Sequence, residues 1–149
     1  MGISDYLDEE LVTFLDANSQ QEALASMIDL LDQKGELRDR DAFFKAILER
    51  EKIVSTGIGI SVAIPHAKLS GYDDFFIAIG IQKKEGIEWQ ALDDLPVRLI
   101  FMIGGPEDKQ TEYLNILSMI TAAIKDEERR KNLLKATNGS DVIAIFEGL

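Results

Sequence analysis

The 149-residue chain contains no cysteine and a single histidine. The absence of cysteine excludes disulfides, thiolate nucleophiles and cysteine metal ligands. Zinc sites normally use several histidine or cysteine ligands, so one histidine leaves only an all-carboxylate metal site, and the sequence has no EF-hand spacing. We therefore expect no bound metal.

Positive charge is also scarce. The chain has 16 Lys and Arg against 27 Asp and Glu, a formal net charge of −11 and a pI of about 4.5. Nucleic acids are bound by basic surfaces that neutralise phosphates, so we expect no nucleic-acid partner. An acidic surface suits a partner with a basic docking face, and the alternative is that it only keeps the chain soluble.

Long apolar runs are missing as well. The opening residues, MGISDYLDEE, lack a basic stretch followed by an apolar one, so we expect no signal peptide. The longest uncharged run, which follows Lys52, is broken by glycine and is too short to span a bilayer. The composition, 46% hydrophobic and 29% charged, is typical of a globular protein. The sequence thus predicts one cytoplasmic domain over residues 1–149, with no insertion into a membrane.

Apolar residues at helical spacing predict two helices early in the chain. Ser19 and Glu22 form a capping-box pattern ahead of the first, which ends near Lys34 and Gly35. The second helix begins after Asp39 and extends through AILEREK.

Three further helices are predicted after Pro106. The longest covers KQTEYLNILSMITAAIKD, and two shorter ones cover EERRKNLLKA and SDVIAIFEGL. Ser140 or its neighbour is expected to cap the last of them. The predicted buried stripe of the long helix comprises Leu114, Leu117, Ile120 and Ile124.

Three short apolar runs bounded by turn residues predict strands: SVAIPH, FFIAIGIQ and PVRLIFMIG. In the second run, isoleucines alternate with Ala78 and Gly80, as a buried central strand would tolerate. Strands interleaved with helices predict an α/β domain in which helices pack on a sheet. The order of the strands cannot be read from this pattern.

Several catalytic motifs are absent. A P-loop needs G-x-x-x-x-G-K-[ST], but no glycine lies between Gly59 and Pro65. A dinucleotide fingerprint needs a third glycine where this chain has Val62. No G-x-S-x-G elbow is present, so a Ser-His-Asp triad is a minor alternative that residue counts alone leave open.

The single histidine, His66, ends the stretch TGIGISVAIPH, whose composition favours a reagent over a surface or core histidine. Pro65 fixes φ and removes a backbone donor, which stops the strand and positions its end. Upstream, the stretch containing Thr56, Gly57 and Gly59 can bring backbone N–H groups close to one point. Such N–H groups suit a phosphoryl oxygen.

Arg50 lies at the end of the helix that precedes this stretch. Its guanidinium can pair with a phosphate, and the alternative is a solvated cation favoured by the helix dipole. A neutral imidazole is a competent nucleophile near pH 7, and phosphoryl transfer needs mainly positioning and charge neutralisation. One histidine, one arginine and a loop of amides suffice, with no metal, nucleotide or other cofactor.

The stretch AILEREKIVSTGIGISVAIPHAKL resembles the active-site segment of the enzyme IIA domains of the bacterial phosphoenolpyruvate-dependent phosphotransferase system, of the fructose/mannitol and nitrogen-regulatory type. The resemblance extends over PVRLIFMIGGP, YLNILSMI and LLKATNGSDVIAIF, almost the whole chain, and is greatest to the nitrogen-regulatory branch. It implies one type 2 EIIA domain, an α/β fold in which a mixed sheet is flanked by helices on both faces.

The resemblance also implies a reaction and partners. In the family, the histidine at the position of His66 takes a phosphoryl group from an HPr-type phosphocarrier, and the arginine of the RE motif falls on Arg50. Regulatory members bind target proteins according to phosphorylation state, whereas sugar-specific members pass the phosphoryl group to a IIB domain. We favour the regulatory function, with fructose/mannitol-type uptake as the alternative and a degenerate member that has lost transfer as a third.

One position departs from the family pattern. Members commonly have a second histidine where this chain has Tyr113. A tyrosine hydroxyl can donate a hydrogen bond but cannot carry positive charge. We expect Tyr113 on the long helix with its ring edge toward His66, outside the deep core, and the alternative is that it merely packs beside Leu114 and Leu117.

Overall fold

A computed structural model describes residues 2–149. After two short 3-10 turns, Ile3–Tyr6 and Glu9–Leu11, this part of the chain forms five helices and six strands. They are β1 Val12–Leu15, α1 Gln20–Gln33, α2 Arg40–Ile53, β2 Gly57–Gly59, β3 Val62–Ala63, β4 His66–Leu69, β5 Phe76–Gln82, β6 Leu99–Pro106, α3 Gln110–Ile124, α4 Glu127–Lys135 and α5 Gly139–Ile145. None of the helices in residues 2–149 is long and apolar enough to cross a membrane.

The helices begin where side chains can accept the unpaired N–H groups of a first turn. Ser19 accepts from the amide of Glu22 at 3.1 Å, and Asp39 caps α2 in the same way, so both predicted caps are confirmed. The cap of α5 is Asn138, which accepts from the amide of Asp141 at 2.8 Å. The prediction centred on Ser140 is therefore two residues late, because this serine already lies inside the helix.

The strands form one mixed sheet in the order β1-β5-β6-β3-β2, with β4 also paired to β6. Strands β1 and β5 are parallel, β5 and β6 are antiparallel, and β2 is antiparallel to β3. Both β3 and β4 run parallel to β6. The sequence pattern predicted three strands of this sheet and missed β1, β2 and β4 as separate strands.

The run SVAIPH is not one strand: it contains the whole of β3, a break, and the first residue of β4. Val62 lies opposite Leu99 and His66 lies opposite Ile103, so the two strands share one register along β6. Pro65 stands at the break because it has no N–H to give to a ladder, while its carbonyl accepts from the amide of Ile103 at 3.0 Å. His66 is thereby fixed as the first residue of β4.

Side chains on the two faces of the sheet enter two separate hydrophobic cores, as alternation along a strand requires. Helices α1 and α2 cover one face, and the buried residues of that core include Leu24, Met27, Phe43, Ile47, Ala78 and Met102. Helices α3, α4 and α5 cover the other, with Ile77, Phe101, Ile116, Ile120, Leu133 and Phe146. The predicted α/β architecture with helices on both faces is confirmed.

The buried face of α3 differs from the predicted stripe. Its buried residues are Tyr113, Ile116, Ile120, Ala123 and Ile124, whereas Leu114 is 50% exposed and Leu117 is half-buried. Leu114 lies two residues from Ile116, which at 100° per residue points it away from the sheet. Its assignment to the core was wrong, and Tyr113 takes the place that the sequence pattern gave to leucine.

Candidate active site

His66 is half-buried at the start of β4, a strand that, within residues 2–149, pairs only with β6. Arg50 approaches it from α2 on one face, and Tyr113 approaches from α3 on the other. A cleft of about 370 Å³ opens beside the histidine, and it is lined by Ala46, Glu49, Arg50, Ile53, His66, Ala67 and Lys68. The cleft therefore presents an imidazole, two cations and one carboxylate to solvent.

The hydrogen-bond partners of His66 assign its tautomer. Nδ1 lies 3.1 Å from the carbonyl oxygen of Ile64, which can only accept, so Nδ1 carries the proton. Nε2 lies 3.1 Å from Nε of Arg50, which can only donate, so Nε2 holds the lone pair. The imidazole is thus neutral, with its nucleophilic nitrogen directed into the cleft toward a guanidinium.

Arg50 lies in the last turn of α2, with its side chain held at both ends of the guanidinium. Besides the bond to His66, Nη1 donates to the carbonyl of Val54 at 2.9 Å. No ion pair within residues 2–149 involves Arg50. The guanidinium of Arg50 is thus held in position facing an imidazole, without a carboxylate partner in the described chain. Such a group is suited to bind an incoming anion.

The surroundings of His66 favour its uncharged form. Burial lowers the pKa of the imidazole, the hydrogen bond to Ile64 opposes this, and the charges of Arg50 and Lys68 lower the pKa further. A lowered pKa keeps the lone pair on Nε2 available at neutral pH. The same two cations that disfavour imidazolium would stabilise a phosphoryl group bound to that nitrogen.

We expect an NMR titration of the His66 ring to give a pKa below the ordinary value of about 6.5. Only the neutral ring can attack a phosphoryl group. The rate of phosphoryl acceptance should therefore stay constant as the pH falls to about 6.5 and decline only below the lowered pKa of His66. The assignment is unambiguous in an untagged chain, since it has one histidine. A pKa at or above the ordinary value would contradict this account of the site.

Tyr113 lies beside His66, with ring centroids 5.3 Å apart and planes tilted by 44°. The predicted proximity is confirmed, but the ring is only 5% exposed and also packs on Phe75, so the expectation that it lies outside the core was wrong. Burial raises the pKa of its hydroxyl, against the opposing charge of Arg50. Tyr113 is therefore neutral, and the ammonium of Lys68 lies 4.2 Å from its ring centroid.

Of the residues predicted to form a phosphate loop, Gly57 and Gly59 lie in strand β2 of a β-hairpin and Thr56 directly precedes it. The Thr56 hydroxyl bonds to the carboxylate of Glu51 and accepts from the indole N–H of Trp89 at 3.2 Å. The amide of Gly57 donates to Ser55 Oγ at 3.1 Å. These groups already bond to neighbouring side chains, and the contact of Thr56, Gly57 and Gly59 with a phosphate stays a prediction.

Gly59 lies in β2 next to the hairpin turn, where Ile60 and Ser61 have positive φ. This turn is at the Leu99 end of β6, whereas His66 pairs at Ile103, four residues or about 13 Å further along. The glycine has φ +95°, and the carboxylate of Asp93 packs against it while accepting from the amide of Ile60 at 2.8 Å. Its conformation is thus required by the hairpin.

Gly59→Ala is expected to destabilise the fold by about 1–3 kcal/mol and to leave phosphoryl acceptance by the folded protein unchanged. An alanine would be strained at this φ, and its Cβ would lie 3.2 Å from Asp93 Oδ2. Urea unfolding and the acceptance rate are the measurements. Gly35→Ala is the control, because Gly35 has a similar φ of +78° but no neighbour within 4 Å. If Gly59→Ala slowed phosphoryl acceptance without lowering the free energy of unfolding, the result would support the predicted contact of Gly59 with a phosphate.

Two residues at the site were not identified from the sequence. Glu51 accepts from the hydroxyl and amide of Thr56 and from the side-chain amide of Gln20, and so ties the end of α2 to the start of the hairpin. Glu51 is the acidic residue of the RE motif that contains Arg50, and this position is the signal that could have identified it. Lys68 could have been identified from the sequence, because side chains two residues apart on a strand point to the same side of it, and Lys68 follows His66 by two.

Within residues 2–149, no three His, Asp or Glu side chains are placed to hold a metal ion together. The side chains around His66 do not form such a set either, since Arg50 and Lys68 are cations. The two cations beside the imidazole are suited to bind an anionic group.

A family model described as "Phosphoenolpyruvate-dependent sugar phosphotransferase system, EIIA 2" matches residues 5–148. The fructose-specific EIIABC component of the PTS system of Bacillus subtilis (strain 168) is 36% identical over 147 residues, 98% of this chain but only 23% of that protein. The fructose-specific EIIA component of Haloferax volcanii is 35% identical over 141 residues, 94% of this chain and 91% of that one. The crystal structure of nitrogen regulatory protein IIA-Ntr from Neisseria meningitidis superposes with a TM-score of 0.88 at 27% identity, covering 97% of this chain and 98% of the other.

Proposed function

This chain belongs to the type 2 EIIA family of the phosphoenolpyruvate-dependent sugar phosphotransferase system, a family of phosphoryl carriers, and we propose that His66 is the residue that accepts and releases the phosphoryl group. The observation that supports the choice of residue is the lone pair of His66 Nε2, held 3.1 Å from the guanidinium of Arg50. No other side chain in the chain is an imidazole.

The donor is an HPr-type phosphocarrier whose phosphoryl group is itself on a histidine nitrogen. The lone pair of Nε2 forms a bond to phosphorus while the donor P–N bond breaks and its electron pair returns to the donor nitrogen. Nδ1 keeps its proton, so positive charge develops on the ring, and the carbonyl of Ile64 stabilises it. No proton is transferred in this step, and a neutral acceptor ring suffices.

Arg50 has two successive roles in this reaction. In the resting state its Nε occupies the lone pair of Nε2, so it must release this nitrogen before attack. Nη1 stays on the carbonyl of Val54 and keeps the guanidinium at the cleft, where its remaining donors can bind phosphoryl oxygens. For Thr56, Gly57 and Gly59, the other residues predicted for this task, the observed hydrogen bonds support a role in holding the hairpin beside the end of α2.

The surface around the cleft supports docking of a protein donor. Ile53 lines the cleft and is 78% exposed, and the next residue, Val54, is 53% exposed, so one side of the cleft carries exposed apolar side chains. The net charge of −11 favours a partner with a basic face. The same role puts the domain in the cytoplasm, together with its phosphocarrier.

For the output of the phosphorylated form, regulation of target proteins is our first proposal. The supporting observation is the likeness to the nitrogen regulatory protein of Neisseria meningitidis over nearly the full length of both chains. Phosphorylation adds about two negative charges to the cleft, which is enough to switch a protein interface. Transfer to a IIB domain in fructose-type uptake is the second proposal, and the two fructose-specific relatives support it.

The test is incubation with phosphoenolpyruvate, enzyme I and an HPr-type phosphocarrier. The intact mass should rise by one phosphoryl group, and NMR should locate it on Nε2 of His66. No increase, or a label on another residue, would overturn the proposed acceptor. The labelled protein is then mixed with a fructose-type IIB domain: rapid loss of the label to IIB supports the uptake function, and full retention supports regulation.

A further inference from the structure

Lys68 lies on the same side of β4 as His66 and lines the same cleft. Its charge already acts on the imidazole, since it is one of the causes of the lowered pKa of His66. No ion pair within residues 2–149 includes Lys68. The ammonium is thus a second cation beside the reactive nitrogen that lacks a carboxylate partner in the described chain.

The ammonium is also held in place, although lysine side chains are usually flexible. Its Nζ lies 4.2 Å from the ring centroid of Tyr113 and donates to the side-chain oxygen of Gln110. Tyr113 is buried in α3, and its ring also contacts the ring of His66. One buried aromatic ring therefore contacts both the histidine and the lysine.

We infer that Lys68, seated on the ring face of Tyr113, binds the phosphoryl group on His66 from the α3 side while Arg50 binds it from the α2 side. This inference rests on the proposed function of His66. Lys68 acts as a fixed positive charge and transfers no proton. Tyr113 is a positioning residue, and it contributes through the face of its ring, because the hydroxyl itself carries no charge.

Four substitutions separate these roles. Lys68→Gln removes the charge and Lys68→Arg keeps it, whereas Tyr113→Leu removes the ring and Tyr113→Phe keeps the ring and removes only the hydroxyl. Lys45→Gln is the matched control, because Lys45 is an exposed lysine on α2 that does not line the cleft. The measurements are the rate of phosphorylation by the phosphocarrier, the half-life of the phosphorylated form and the pKa of His66 by NMR.

We expect Lys68→Gln to slow phosphorylation by about 10-fold. This loss is smaller than the roughly 10²–10³-fold loss that follows removal of a donor fully positioned at the transition state. The pKa of His66 should rise in the same variant, since a neighbouring cation has been removed. Lys68→Arg should recover most of the rate. Tyr113→Leu should reproduce the loss in part, and Tyr113→Phe should lose less of the rate than Tyr113→Leu because it keeps the ring.

Three outcomes would contradict these expectations, and they are distinguishable. Wild-type protein that takes up no phosphoryl group would overturn the proposed function itself. In the second outcome, the wild type is labelled while Lys68→Gln matches Lys45→Gln in both the phosphorylation rate and the pKa of His66. That result would overturn the role of Lys68 and leave His66 as the acceptor. A loss in Tyr113→Phe as large as in Tyr113→Leu would overturn the role of the ring face and assign the effect to the hydroxyl.

Discussion

His66→Gln is expected to take up no phosphoryl group from the phosphocarrier, the largest effect of any single substitution in this chain. Glutamine is polar and of similar length, so its amide can still hydrogen-bond near Arg50 and Ile64, but an amide nitrogen has no nucleophilic lone pair. Intact mass spectrometry after incubation with phosphoenolpyruvate, enzyme I and phosphocarrier is the measurement. The chain has no second histidine that could substitute.

The control for this variant is its fold. Because His66 is half-buried at the sheet edge and not in either core, thermal unfolding of His66→Gln should lie close to that of the wild type. If His66→Gln unfolded at the wild-type temperature and still gained one phosphoryl group, the acceptor would be another side chain, and the proposed mechanism would be wrong.

Arg50→Gln is expected to slow phosphoryl transfer by about 10²–10³-fold, the usual cost of removing one donor positioned at developing charge. Arg50→Lys should recover only part of the rate, because an ammonium keeps the charge but lacks the planar fork of donors. The pKa of His66 should rise in Arg50→Gln, since one of the two neighbouring cations is lost. Rapid-mix phosphorylation and an NMR titration measure the two effects.

Lys52→Gln is the matched control for Arg50, because Lys52 is an exposed cation in the same last turn of α2. It should leave both the rate and the pKa of His66 unchanged. If Arg50→Gln behaved like this control, the guanidinium would be only a cation favoured by the helix dipole, which is the alternative that the sequence left open.

The helices of this protein could be predicted because their signals are local. Ser19 and Asp39 cap α1 and α2, and the apolar spacing between caps is helical. The strands were harder, because β2 consists of Gly57–Gly59 and has the composition of a loop. Its turn uses Ile60 and Ser61 at positive φ, residues that are not typical of that conformation. Partners far along the chain stabilise this hairpin, among them Asp93 and Trp89, and no local pattern reveals them.

At the site, too, the residues of one local stretch could be predicted from the sequence, whereas contacts between distant elements could not. His66 and Arg50 are sixteen residues apart and stood out in one continuous stretch, and the structure joins them by a hydrogen bond. Tyr113 was placed near them by a family resemblance, while periodicity alone favoured Leu114 for the core because leucine is the more apolar residue. The contact of Lys68 with Tyr113 depends on how α3 packs on β4, which tertiary structure alone decides.

The reactive centre is shared between two layers that have no core in common. Arg50 belongs to the layer of α1 and α2, Tyr113 belongs to the layer of α3 to α5, and His66 lies on the strand between them. If either layer detaches, the histidine loses a cation or its aromatic support, even though β4 remains paired with β6. With His66 as the proposed acceptor, a chain that has opened on one side is therefore expected to accept a phosphoryl group poorly. Phosphorylation would then select the molecules in which both helical layers are packed on the sheet.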